Sequence, residues 1–317
     1  MLYLKVFLFF DFYYLKSTHA IIMKSYAKKA FIFRDSAIQA EINALDAVND
    51  HQRIVYLLTA YEFTFDMVRA LELALFHTYA SPSISGLLQK TGEFERRGQK
   101  RYDDTGILIA QFMQAGYDSE LGKRAIAQMN KIHGHYRIAN DDYLLVLSTF
   151  VFYPINWMET NGWRKMTDNE QLALFLFFKE VAKRMNLVNI PEDLAALKSF
   201  AAQYEEQYFC YAKSNEVIAD ATIKIVANWF PSFLRFAVKP VFAALINDKL
   251  REAFGYKKPS ELFCGLLHAS FQVRKQFLKY ITFKKYPTEI SNTYYRTYPK
   301  HEFTIETLGP EYLTRKK

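Results

Sequence analysis

The chain predicts an all-α fold, a single large helical domain of about ten or more helices. Apolar residues recur at i, i+3, i+4 and i+7 through most of its length, and no run sustains the period-two alternation of a sheet. Glycine (11) and proline (9) are too sparse among 317 residues to punctuate a β fold. The patterns place helices over 36–48, 53–79, 83–90, 102–117, 119–136, 141–158, 168–186, 191–209, 215–229, 232–254 and 260–281. Several starts carry a mechanism. Thr167-Asp168-Asn169-Glu170 is a capping box, and Asn140 before Asp141 and Asp142 reads as an N-cap with acids on the positive end of the helix dipole. Pro191 followed by Glu192 and Asp193 reads as a first turn. Tyr, Thr and Phe cluster between Tyr286 and Ile305, the one stretch with strand character.

No linker or repeat interrupts the pattern from Ser36 to Ile281. The expectation is one helical domain over 36–317 with a basic C-terminal tail, preceded by an extension over 1–35. Met1–Leu15 (MLYLKVFLFFDFYYL) is apolar but contains Lys5 and Asp11, and it is shorter than the ~20 residues a spanning helix needs. No A-x-A cleavage site follows, and Met23 reads as an equally good start. A cytoplasmic protein, or one peripheral to a membrane, is expected.

The 28 Phe and 22 Tyr must fill a core, line a pocket or face lipid. Lys and Arg total 41 against 33 Asp and Glu, a net charge of +8; Phe271–Lys317 holds ten basic and four acidic residues, so +6 of it sits in the tail. Such a tail suits anionic lipid or nucleic acid, or is simply a solvated basic C-terminus; no nucleic-acid motif accompanies it, which leaves peripheral membrane contact beside the solvated tail. Cys210 and Cys264 lie in apolar helical sequence without metal-type spacing and are expected as reduced core residues.

The chemistry concentrates between Arg101 and Trp157. Thr105, Leu108, Ile109 and Phe112 form a buried stripe that extends back to Arg101, with Asp104 beside it. Taken alone, Arg101 and Asp104 read as an ion pair at a helix start, with Asp103 turned to solvent. In the next helix Ala125, Met129, Ile132 and Tyr136 form a second stripe with His133 at its edge. A lone histidine on an apolar face is more often a satisfied core residue. Neutral imidazole is also the commonest axial ligand of haem iron. Two successive helices presenting polar groups to a core would gather Arg101, Asp104, Thr105 and His133 around one cavity.

These residues carry a resemblance. Arg101-Tyr-Asp-Asp104-Thr105, Met129-Asn130-Lys-Ile-His133, and Asn140-Asp141-Asp142-Tyr143-Leu144-Leu145 through Phe150, with Pro154 and Trp157, resemble the successive motifs of the MpaB-type and latex-clearing oxygenases. The likeness continues through Gly162-Trp163, Ile190-Pro191, Pro231, Gly255, Tyr298-Pro299 and Leu308-Gly309-Pro310. It implies a helical protein with a haem b pocket between core helices, which uses dioxygen to cleave a carbon–carbon double bond in a hydrophobic, isoprenoid-like substrate. His133 matches the proximal iron ligand, ahead of its neighbour His135. Arg101 and Thr105 match the distal polar pair, and Asp104 would act as a base or orient Arg101. Asp104 stands where latex-clearing enzymes carry lysine, which argues against polyisoprene as substrate. Asn156 stands before Trp157 where the family usually has arginine, which removes that arginine's ion pair.

Two other readings compete. One is a non-catalytic helical module that binds a hydrophobic ligand or lipid, suggested by Phe233, Phe236, Ala237, Pro240, Ala244 and Leu245 along 232–254, where Pro240 would kink the helix. The other is a non-haem metal enzyme using His133, His135 and Asp141, although His-x-His on a helix points its two rings to different faces.

Overall fold

Local capping signals set many of the element boundaries in the computed structural model, which describes residues 32–33, 36–282 and 287–314. The predicted extension over 1–35 therefore lies almost wholly outside the described residues. Its described part includes β1 (Ile32–Phe33). Asp46 accepts from Val48 N and Asn49 N and so separates α1 (Ala37–Ala44) from α2 (Ala47–Leu57).

The helix predicted over 53–79 is interrupted: α2 gives way to a π turn over Leu58–Glu62 before α3 (Thr64–Thr78). The run Thr59-Ala60-Tyr61-Glu62-Phe63-Thr64 is dense in β-branched and aromatic residues, which lose χ1 freedom in a helix. Glu62 is also drawn into a buried pairing with Arg164 at 2.7 Å. After α4 (Pro82–Thr91), Gly92 takes the left-handed conformation (φ 66) that turns the chain into α5 (Glu93–Ala115). This helix starts well before the predicted residue 102 and is kinked at Arg97 (φ −141, ψ 39).

Next come α6 (Glu120–His133), α7 (Asn140–Thr160) and α8 (Asp168–Arg184), the last opening on the predicted capping box of Thr167 and Glu170. Ala139, not Asn140, caps α7; the Asn140 amide instead exchanges hydrogen bonds with the backbone of Val188. Asp193, not Pro191, begins α9 (Leu194–Tyr208), accepting from Ala196 N. α10 (Lys213–Ala227) follows.

Where one helix was expected over 232–254, there are a 3-10 turn (Ser232–Ala237), α11 (Val238–Leu245) and α12 (Asp248–Phe254). Asn247 caps α12 by accepting from Leu250 N, while Pro240 sits in the first turn of α11, where a missing N–H breaks no helical bond. The buried face differs from the expected one: Leu234, Val238 and Val241 go in, and Phe233 and Phe236 stay out. The chain closes with α13 (Glu261–Leu278), β2 (Ile281–Thr282), 3-10 turns over Ile290–Asn292 and Ile305–Thr307, and α14 (Glu311–Thr314). β2 pairs antiparallel with β1, Ile32 opposite Thr282. The described residues between Tyr286 and Ile305 form no strand. Both cysteines are free, but neither is a core residue: Cys210 is exposed and Cys264 only partly covered.

The protein is a single all-α domain in which α2 packs on α8 and α3 on α7 around Phe63, Phe112, Phe175 and Phe177. A second apolar cluster joins Phe76 to α10, α11 and α12. Among the described residues, no helix is long and apolar enough to cross a membrane. Deep in the main core Asp66 accepts from Trp157 Nε1 at 2.9 Å and from Arg274 at 2.8 Å, linking α3, α7 and α13. The cation near Trp157 thus comes from α13 and not from position 156.

Both members of the Asp66–Arg274 pair are at most 5% exposed, so removing one leaves an uncompensated buried charge. Arg274→Met is expected to lower the unfolding free energy by about 3–5 kcal/mol in urea titration, and the double variant Asp66→Leu/Arg274→Met by less. A single variant within about 1 kcal/mol of wild type contradicts this account.

Candidate active site

The buried stripe of α5 leads directly to a cavity. Leu108, Ile109 and Phe112 are core residues, as their spacing predicts, and Arg101 and Thr105 continue the same face to line an apolar cavity of about 460 Å³. α6 supplies Met129, Ile132 and His133 to the same walls, and α7 supplies Tyr143, Val146, Leu147 and Phe150. Arg101, Thr105 and His133 are thus brought together; Asp104 is not.

His133 is the last residue of α6, its ring 5.5 Å from that of Tyr143. Burial, with the Arg101 charge second, pushes its pKa down to about 4, so the imidazole is neutral near pH 7. Its Nδ1 is fully buried and, among the described residues, has no hydrogen-bond partner. An orphaned buried nitrogen costs about 1–3 kcal/mol unless something else satisfies it. Imidazole nitrogen is a natural donor to a transition metal, and a cavity with several aromatic walls suits a flat apolar macrocycle.

The neighbouring carboxylates reverse the expected arrangement. Asp104 is 2% exposed and accepts from Lys100 Nζ at 2.6 Å, Tyr298 Oη at 2.6 Å and Gly309 N at 2.9 Å. The ion pair at this helix turn is therefore Lys100–Asp104 and not Arg101–Asp104, and Asp104 does not orient Arg101. Asp103, expected in solvent, is buried, lines the cavity and accepts from Gln99 Nε2 and Thr297 N. Burial pushes its carboxyl above the usual range. Arg101 is left facing the cavity without either neighbouring carboxylate.

Sequence reasoning missed Glu72, a carboxyl in the cavity wall. It pairs with Arg69 at 2.6 Å and accepts from Tyr102 Oη, and burial raises its pKa against the lowering effect of both partners. The sequence offered no signal, because Arg69 and Glu72 at i, i+3 read as an ordinary surface pair. His135, the rival to His133, is exposed and turns its Nδ1 to Lys131 O at 2.7 Å. Among the described residues no group of three or more His, Cys, Asp or Glu side chains could hold a bare metal ion, so the set His133, His135 and Asp141 does not assemble.

No family model matches the chain. Curated relatives do. The ER-bound oxygenase mpaB′ of Penicillium brevicompactum is 26% identical over 273 residues, 80% of this chain and 64% of that protein. The ER-bound oxygenase mpaB of Penicillium roqueforti is 27% identical over 213 residues, 62% of this chain and 72% of that protein. The mpaB of P. brevicompactum is 28% identical over 220 residues, 63% of this chain and 55% of that protein. The chain thus spans just under two thirds of the first relative's length. Along most of its sequence the chain is thus similar to several proteins named as MpaB oxygenases.

Proposed function

We propose that the chain is a haem b-dependent oxygenase that uses dioxygen to cleave a carbon–carbon double bond in a hydrophobic, isoprenoid-like substrate. The observation that carries this reading is the neutral imidazole of His133, whose Nδ1 is buried without a hydrogen-bond partner among the described residues, on the wall of an apolar cavity. The oxygenase names of the relatives support the reaction class, and their description as ER-bound supports a setting at a membrane.

A haem held in the cavity would supply the activation of dioxygen. His133, kept unprotonated by burial, would hold its iron. Arg101 faces the cavity while Asp103 and Asp104 are held by other donors; its planar guanidinium offers N–H donors to negative charge developing in the cavity. Thr105, one turn along α5, adds a hydroxyl donor on the same wall. Apolar lining such as Val146, Leu147 and Phe150 excludes water and accepts an alkene chain. Cleavage by one dioxygen leaves two carbonyl ends.

Absorbance of the purified protein tests the cofactor, with a Soret band expected. His133→Ala is expected to fold with its helical circular dichroism intact and to lose that band, while His135→Ala keeps it; the opposite pattern moves the ligand to His135.

Thr105→Val removes the hydroxyl and nearly conserves shape. Turnover of an isoprenoid-like alkene is expected to fall at least ~10-fold, about 1.4 kcal/mol of transition-state stabilisation, with haem content and melting temperature unchanged. Arg101→Lys keeps the charge but loses the planar fork and is expected to behave alike. Loss of haem or fold without a separable kinetic defect makes both residues structural.

Asp104→Ala is expected to act differently, since its partners lie in the C-terminal segment. Stability falls by about 2–3 kcal/mol, and limited proteolysis reaches residues 298–314 sooner. Normal stability with abolished turnover would falsify the structural role.

A further inference from the structure

α13 is amphipathic with its apolar faces on both sides. Phe271, Arg274 and Leu278 turn inward, where Arg274 meets Asp66 and Phe271 meets Trp157. Leu262, Leu266, Ala269, Val273 and Phe277 turn outward and are all exposed. At 3.6 residues per turn these five fall within an arc of about 80°, a stripe running along a helix of about 27 Å. Leu262 keeps 74% of its surface in solvent, and Tyr280, just beyond the helix end, keeps 69%. α11 packs against α13, and the turn leading into α11 exposes Phe233 and Phe236 at 66% and 64%. Large apolar side chains scattered singly need no explanation, but a continuous stripe does.

The charge beside the stripe narrows the choice of occupant. Between Glu261 and Lys285 the sequence holds Arg274, Lys275, Lys279, Lys284 and Lys285 against Glu261 alone. Arg274 is committed to Asp66; among the described residues Lys275 and Lys279 remain as a basic excess on and just past the helix that carries the stripe, joined by the exposed Arg235. A second copy docking through the same face would oppose these lysines to one another, whereas an anionic lipid surface complements both the stripe and its charge.

We infer that the outward face of α13, with Phe233 and Phe236, docks this protein on an anionic lipid surface. The inference goes beyond the catalytic reading and stands whether or not the cavity holds haem.

Full-length protein carrying an environment-sensitive fluorophore at Leu266→Cys, with Cys210→Ser and Cys264→Ser, is mixed with vesicles of phosphatidylcholine or of phosphatidylcholine with phosphatidylserine. Binding is expected to the anionic vesicles, with the fluorophore quenched by brominated acyl chains. Leu266→Ser/Val273→Ser is expected to weaken vesicle partitioning at least ~10-fold at an unchanged melting temperature. Lys275→Gln/Lys279→Gln should remove the preference for phosphatidylserine and its salt sensitivity. Protein that binds while the fluorophore at position 266 stays unquenched is anchored elsewhere, which overturns the proposal. A lowered melting temperature of the serine variant shows the face covered by the chain itself, and a wild-type dimer split by that variant shows it covered by a second copy. Either result, or no binding to either vesicle, also overturns it.

Discussion

The closure of the cavity rests on one carboxylate. Asp104 gathers three donors, from Lys100 in its own helix and from Tyr298 and Gly309 some two hundred residues later. A carboxylate buried this deeply persists only if its lone pairs are met, so the C-terminal segment must return to α5 for the fold to be stable. That return has a geometric consequence. Gly309 (φ 120) lies so close to Ile132 that a Cβ there would come within 2.6 Å of its side chain, and Pro310 becomes part of the cavity wall. The residue next to His133 is therefore held by a bond network anchored on α5.

Commitment of Asp104 to that network also fixes the electrostatics of the cavity. Were it turned toward Arg101, the guanidinium would be neutralised locally and the cavity would hold an ion pair. Instead a cation stands near a histidine that burial already disfavours as a cation, and the Arg101 charge pushes in the same direction. The result is a cavity, mostly apolar, that holds the Arg101 cation and a neutral nitrogen base, with Glu72, Asp103 and Arg296 also in its lining. This combination suits a group that needs a nitrogen ligand and tolerates or develops negative charge.

Much of this was legible in the sequence because it depends on helical period. The stripe Thr105, Leu108, Ile109 and Phe112, the stripe ending at Ile132 and His133, and the capping box at Thr167 are local patterns, and local patterns survive folding. What failed depended on partners far away in sequence. Asp103 and Asp104 differ by about 100° around one helix, and nothing within α5 says which of them Tyr298 and Gly309 will meet. Glu72 carries no local signal, because its partner Tyr102 and the cavity walls that bury it come from elsewhere in the sequence. The breaks at Leu58–Glu62 and at Ile246-Asn247 fell inside apolar runs whose periodicity continues across them. At the second, the cap that starts the next helix comes from Asn247.

α13 shows how tertiary demand can leave a helix apolar twice over. Its inner face must supply Phe271 and Leu278 to the core and Arg274 to Asp66, which fixes its rotation about its own axis. With that rotation fixed, Leu262, Leu266 and Val273 cannot turn inward to gain burial, and polar residues there would serve a solvated surface better. Their apolar character is therefore not a by-product of core packing. On the two proposals taken together, a hydrophobic alkene dissolves in the same lipid phase that covers α13, so docking would raise the local concentration of substrate without any added contact inside the cavity.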